Sequence, residues 1–249
     1  MGAHTPHYPV FLAIESRLAI IVGSDAAAQR KVSQLLRYGA DVVVIAPEPC
    51  AELRQLEADG AISLEPRGYV RGDLQGAFLV YCTEADEVAR AVFSEAETLG
   101  CLINVADDPA LSNYLLPSNV RRGQLQIAIS TSGAAPAVAK RLRRELQKQF
   151  GREWVSYIEL LGDVRALAAQ SIDDPLHLAA VVAASAEIDF LERMVSGEEI
   201  TPKAALAESE AAADAATAEA TAQAAADEAA AAFDPDPDAE LAGEPATEE

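Results

Sequence analysis

The sequence has 249 residues, half of them hydrophobic, and a formal net charge of −21. The hydrophobic share excludes a chain that is disordered throughout. The acidic balance excludes general nucleic-acid binding, which needs Lys and Arg to neutralise phosphates. Residues 203–249 hold 13 acids and one lysine, so much of the charge sits in a low-complexity Ala/Glu tail. No apolar run approaches the roughly 18–20 residues of a membrane helix, so no membrane partner is expected. The first residues have neither the basic nor the apolar region of a signal peptide. Cys50, Cys82 and Cys101 are odd in number and far apart, with no C-x-x-C pair. They read as free thiols, and the expected location is cytoplasmic.

Taken in order, Tyr8–Ala13 (YPVFLA) is short and apolar and is expected to lie beside or lead into the first strand, Leu18–Val22. A turn at Gly23 feeds a helix from about Ala26 to Tyr38, with Ala28, Val32, Leu35 and Leu36 on one face and Gly39 as its C-cap. Asp41–Ala46 (DVVVIA) is a β-branched run of the kind buried on both faces of a parallel sheet. A helix over Cys50–Asp59, a short strand over Ala61–Glu65, a buried strand over Gly76–Cys82, a helix over Asp86–Leu99 and a strand over Cys101–Val105 follow. This alternation predicts an α/β fold, a Rossmann-like doubly wound parallel sheet over residues 1–112. Ligands are then expected at the carboxyl ends of the strands, where Gly23, Thr83 and Asp107 lie.

After that the pattern changes. Residues 113–150 hold a strand, Leu125–Ile129, and a helix from Pro136 that ends at Gly151. Residues 151–200 read as a small helical domain of two amphipathic helices, Trp154–Ala169 and Pro175–Val195. Residues 201–249 are a low-complexity tail, of which 204–232 are expected to be partly helical through their alanines and to pack against nothing.

Four features carry chemistry. The Leu18–Lys31 stretch has the layout of a dinucleotide-binding βα turn. The fingerprint G-x-G-x-x-A would need Gly at 23 and 25 and Ala at 28; the chain has Gly23, Asp25 and Ala28. Cofactor contacts are expected from Gly23, Ser24, Asp25, Ala26, Pro47 and Thr83. Asp107–Asp108–Pro109 follows a strand; a carboxylate there is a general base if burial raises its pKa, or else a loop acid capping the next turn. Ser130–Thr131–Ser132–Gly133 precedes a helix and suits an anionic ligand, or is an ordinary polar turn. Arg121, Arg122, Lys140 and Arg141 form a basic patch for a polyanion, or a solvated face. No His/Cys cluster has metal-ligand spacing: His4 and His7 are near the terminus and His177 is on a helix. No metal site is expected.

Several segments resemble the sirohaem-synthase dehydrogenase/ferrochelatase domain: YPVFL (8–12), IIVGSDAAAQRK (20–31), GADVVVIAPE (39–48), GAFLVYCTE (76–84), INVADDP (103–109), LPS (116–118) and RRGQLQIAISTSGAAPAVAKRLR (121–143). The resemblance implies NAD-dependent oxidation of precorrin-2 to sirohydrochlorin, and in bifunctional members insertion of Fe²⁺ as a substrate to give sirohaem. It implies a homodimer joined through the C-terminal part of the chain, with 113–150 as a dimerisation and substrate segment. It places the catalytic acid/base at Asp107 and tetrapyrrole contacts at Ser118, Arg121, Ser130 and Thr131. The family usually has G-G-G where this chain has Gly23–Ser24–Asp25, Asp in place of Glu84, and Asn in place of Ala89. A unit charge about 4 Å from a pyrophosphate charge costs roughly 1 kcal/mol in water and about 4 at an effective dielectric of 20. A chelatase without the NAD step, or a non-catalytic tetrapyrrole-binding protein, fits these departures.

Overall fold

The computed structural model describes residues 7–232; His4 and the stretch after residue 232, with its Asp-Pro pairs, lie outside the described residues. The chain divides into two compact units, residues 1–119 with 128–144, and residues 120–127 with 145–249. The segment 113–150 is therefore divided between the two.

The first unit is built on five strands: β1 (Leu18–Val22), β2 (Asp41–Ile45), β3 (Ser63–Glu65), β4 (Leu79–Cys82) and β5 (Leu102–Val105). All pair in parallel, in the order β3-β2-β1-β4-β5. Helices α1 (Ala26–Leu36), α2 (Ala51–Ala58) and α3 (Asp86–Leu99) make the crossovers. Period-two alternation within β1 divides the core into two layers. Ile21 joins Val44 and the inner residues Ala28, Val32, Leu35 and Leu53 of α1 and α2. Ile20 and Val22 join Val80, Cys82 and the inner residues Ala89, Val92 and Ala96 of α3. The β3-to-β4 crossover holds no helix. It is anchored by the buried Glu95 carboxylate, which accepts from Tyr69 Oη and from the backbone N–H groups of Gly72 and Leu74.

Register fixes the functional edge. Val22 stands level with Ile45 and Cys82, and Cys82 with Val105. The next residues, Gly23, Thr83 and Ala106, keep the ladder going through their N–H groups to Ile45, Val22 and Cys82. The expected sheet is therefore present, with both turns that carry predicted site residues on one edge. Tyr8–Ala13 precedes β1 without joining the sheet. It forms no strand, and Tyr8 and Phe11 are exposed, because β1 already has β2 and β4 on its two sides.

Strands β6 (Ser118–Arg122) and β7 (Leu125–Ile129) form a hairpin. The first of these strands escapes a hydrophobic reading because SNVRR carries one apolar residue, Val120, which is buried. Helix α4 (Pro136–Gln149) follows. In the second unit, Arg122 caps the carboxyl end of α4 by donating to the carbonyls of Gln147, Phe150 and Gly151, a use of cationic donors that suits a helix C-terminus. It is thus a structural group and not part of a free basic patch.

Helix α5 (Glu153–Ser171) carries Tyr157, Leu160 and Val164 into a core with Phe190. The expected helix over 175–195 is two helices, α6 (Pro175–Glu187) and α7 (Phe190–Val195). Ile188 breaks the run with an extended backbone, and Phe190, next but one, is fully buried. Helix α8 spans Pro202–Ala232. Its first turns are packed, contrary to expectation: Ala205, Ser209 and Ala213, four residues apart, are buried against the α5 and α6 side. Small side chains bury little area each but let helices approach closely, which a search for large apolar residues overlooks.

Candidate functional site

Two turns on the carboxyl edge hold the predicted site residues. At the first, Gly23 has φ +118, and a Cβ there would collide with Thr83 Oγ1. Glycine is required by this close approach of β4 and by its backbone conformation. The Glu84 carboxylate also turns toward it, with Oε1 3.3 Å from the position a Cβ would take. Ser24 Oγ donates to the Glu48 carbonyl at 2.9 Å. Asp25 is the N-cap of α1, with extended backbone and a carboxylate that accepts from Ala28 N at 2.8 Å. Ala26 opens the helix and is exposed, as is Pro47 after β2; Thr83 is half-buried.

The residues at this turn fit a dinucleotide in backbone and depart from it in side chain. A strand, a glycine of positive φ and a helix N-terminus make the usual pyrophosphate cradle. Here the helix N-terminus already faces its own anion, Asp25, with Glu84 nearby. A bound pyrophosphate would meet both charges.

At the second turn, Asp107 sits in the left-handed region at φ +58. Its neighbour Asp108 does the capping. The Asp108 carboxylate accepts from Ala110 N and Leu111 N, which fold as a single 3-10 turn over Pro109–Leu111. Ser112 Oγ donates to the Asp108 carbonyl and accepts from Val105 N. Asn113 Oδ1 accepts from Ile103 N, and Asn113 N donates to the Ile103 carbonyl. The loop thus folds back along β5 and satisfies its open edge with side chains and backbone, one of the ways proteins cover an edge strand.

Asp107 is left over. Among the described residues its carboxylate accepts no hydrogen bond, and it lines a cavity of about 380 Å³. Asn104, Ser118, Ser130, Thr131 and Pro136 line the same cavity. The structure therefore brings together Asp107, Ser118, Ser130 and Thr131. Asp107 is exposed. Thr131 Oγ1 accepts from Ala135 N and Ser130 Oγ from Ser132 N. Both hydroxyls keep a donor hydrogen for a ligand. Arg121 belongs to the second unit, where its Nε donates to the Gly123 carbonyl, and it does not line this cavity. Lys140 and Arg141 are exposed on α4.

Comparison with known proteins agrees with the order of these parts. Residues 10–118 match a family described as putative NAD(P)-binding, and residues 122–149 match one described as the central part of sirohaem biosynthesis proteins. The two matches are consecutive and together take up more than half of the chain. Over these segments the chain is similar to proteins of sirohaem biosynthesis. It is 37% identical over 141 residues to a sirohaem synthase of Thioalkalivibrio sulfidiphilus, covering 56% of this chain and 29% of that protein. It is 28% identical over 160 residues to the precorrin-2 dehydrogenase of Priestia megaterium, covering 64% of this chain and 79% of that protein. A solved structure of SirC, a precorrin-2 dehydrogenase, superposes with a TM-score of 0.65 at 24% identity, covering 82% of this chain and 99% of that one. That likeness bears on the fold. The chain spans about a third of the length of the sirohaem synthases it matches. Among the described residues there is no group of three His, Cys, Asp or Glu able to hold a metal ion. No helix of the described residues is long and apolar enough to cross a membrane.

Two features of the structure are not marked in the sequence pattern that gave the site residues. Lys31 is buried, with Nζ donating to Gln34 Oε1 at 2.8 Å and lying 5.0 Å from the Tyr81 ring centroid. Burial pushes its pKa down to about 8. The signal was in the spacing: position 31 lies three after Ala28 and four before Leu35, on the inner face of α1. Tyr114 is the second. Its hydroxyl is buried with no partner among the described residues, and burial raises its pKa. No periodicity marks that position.

Proposed function

We propose that this protein acts on the tetrapyrroles of sirohaem biosynthesis, oxidising precorrin-2 to sirohydrochlorin with NAD, with Asp107 as the group that takes the proton. The observation that carries this reading is the carboxylate of Asp107, released from local hydrogen bonding by Asp108 and facing a cavity with Ser118, Ser130 and Thr131. The substrate is a flat polycarboxylate. The three hydroxyls donate to its carboxylates, and its macrocycle, laid over the cavity, excludes water from Asp107. The backbone of Gly23 to Ala26, with Pro47 and Thr83, would hold NAD, which supplies a hydride acceptor when bound. The protein works as a cytoplasmic homodimer, and the exposed apolar stretch 8–12 suits burial against another surface.

A second reading rests on Asp25 and Glu84. With two carboxylates at the cofactor turn, the chain keeps tetrapyrrole chemistry without NAD: Asp107 accepts the pyrrole protons released as Fe²⁺, a substrate, enters sirohydrochlorin. Purified protein is given freshly made precorrin-2 with and without NAD, and separately sirohydrochlorin with Fe²⁺, and each product is followed by absorbance. The first reading expects NAD-dependent oxidation. The second expects metal insertion alone. Both expect Asp107→Ala to cut the rate a hundredfold or more while sirohydrochlorin still binds; an unchanged rate would overturn both.

A further inference from the structure

A second and larger cavity, of about 650 Å³, lies beside α1 and the start of α2. Its lining includes three cations, Arg30, Lys31 and Arg37, against one carboxylate, Glu52, with Leu56 and Leu116 as accessible apolar surface. That balance is unusual in a chain of net charge −21. Helix α1 contains no Asp or Glu between Ala26 and Leu36. Arg30 and Arg37 are seven residues apart, so they share one side of the helix two turns apart, and both are exposed.

Lys31 is the unusual member. It is 8% exposed, and the neighbours that meet its ammonium are an amide oxygen and an aromatic face. Among the described residues no carboxylate lies within ion-pair reach. A buried cation held by one hydrogen bond and a ring is an incomplete arrangement. The lowered pKa is the expected result of that desolvation. An anion in the cavity would complete it. The cavity also has the volume typical of small-molecule sites and the mixture of apolar lining with a few polar groups that such sites show.

We propose that this cavity binds an organic anion that carries two or more acid groups on an apolar body. Lys31 meets one acid group at the inner wall. Arg30 and Arg37 meet the others at the rim, where guanidinium groups can grip a carboxylate or phosphate with two parallel hydrogen bonds. Leu56 and Leu116 pack against the body. The site shares neither Asp107 nor the hydroxyls of the cavity beside it.

Pyridoxal 5′-phosphate is a suitable probe. It has an aromatic ring, a phosphate and an aldehyde, and the aldehyde condenses with a neutral amine, with loss of water, to an imine that borohydride reduces to a stable secondary amine. The full chain is labelled at pH 7.5 over a range of probe concentrations, and peptide mass spectrometry follows Lys31 beside the exposed Lys140, Lys148 and Lys203. Lys31 is expected to label at least tenfold faster than the other three, to saturate with probe, and to be protected by citrate. In the Arg30→Ala/Arg37→Ala variant the half-saturating concentration should rise at least tenfold, with labelling of the exposed lysines unchanged. Both arginines are exposed, so the fold should survive their loss. Labelling that rises linearly with probe and ignores citrate and the arginines would mean a reactive amine without a binding site, and would overturn the proposal. So would labelling that appears only on dilution of the protein, because a second copy of the chain would then be the occupant.

Discussion

The ends of β1 and β5 lie on the same edge of the sheet, and each is followed by an aspartate, but the two aspartates do different work. Asp25 caps the helix that follows it, so its charge faces the backbone of its own turn. Asp107 is relieved of that task by the next residue, Asp108, which caps the 3-10 turn in its place. One carboxylate is absorbed into the fold and the other is presented to a cavity. The capping partner decides which, and the residue type does not.

The largest expected effect tests that division. Asp107→Asn keeps the shape and tolerates the left-handed backbone, for which Asn is one of the better residues. It removes the base. Tetrapyrrole turnover should fall by roughly 10² to 10⁴, the usual range for a general acid/base group. The unfolding free energy in urea should stay within about 0.5 kcal/mol, as for other exposed substitutions. A large loss of stability would mean that Asp107 is part of the fold after all. Asp25→Gly should act in the opposite sense. Removing a charge close to a bound pyrophosphate should tighten NAD binding by somewhere between about fivefold and a thousandfold, and should cost only a few tenths of a kcal/mol as a cap. Calorimetry with NAD on both proteins decides it. Equal affinity would mean that Asp25 stands clear of the cofactor.

The sheet was readable because its inner strands β1, β2 and β4 are nearly continuous apolar runs between turn residues, and burial on both faces is what such runs signal. Asp107 was readable as a candidate from its place after such a run. Its release from capping was not, since Asp107 and Asp108 are chemically the same and only the loop's path along β5 separates them. Strand β6 was hidden by its single buried residue, Val120. The packed start of α8 was hidden by composition: alanine signals helix propensity but gives no sign of burial. The break at Ile188 was hidden inside an unbroken apolar pattern, because the gain from burying Phe190 depends on a core built by α5.

Lys31 offers a third case, a charge neither taken up by a cap nor presented to solvent. Its folded pKa of about 8 lies below the ordinary 10.5. Between those values the unfolded chain holds the proton more tightly, so stability should rise with pH. The burial penalty on the cation is full below about pH 8 and gone above about 10.5. The span is up to about 3 kcal/mol at 1.36 kcal/mol per pH unit. Urea unfolding at pH 8, 9 and 10 should show wild type gaining on Lys31→Met across this window. A constant difference between the two proteins would mean that Lys31 keeps its charge in the fold.

Asp108→Ala gives the smallest effect and the sharpest test of the capping argument. It removes the acceptor for Ala110 N and Leu111 N, and loss of a cap of this kind costs about 1 kcal/mol. If capping by Asp108 is what frees Asp107, the variant should also lower kcat with little change in KM, because Asp107 can then turn back to its own loop. Asp108→Asn keeps an acceptor oxygen and should restore most of the rate. A variant that loses the stability but keeps the rate would make Asp108 a loop residue only. The orientation of Asp107 would then come from its own left-handed backbone, and the contrast between the two strand ends would rest on conformation alone.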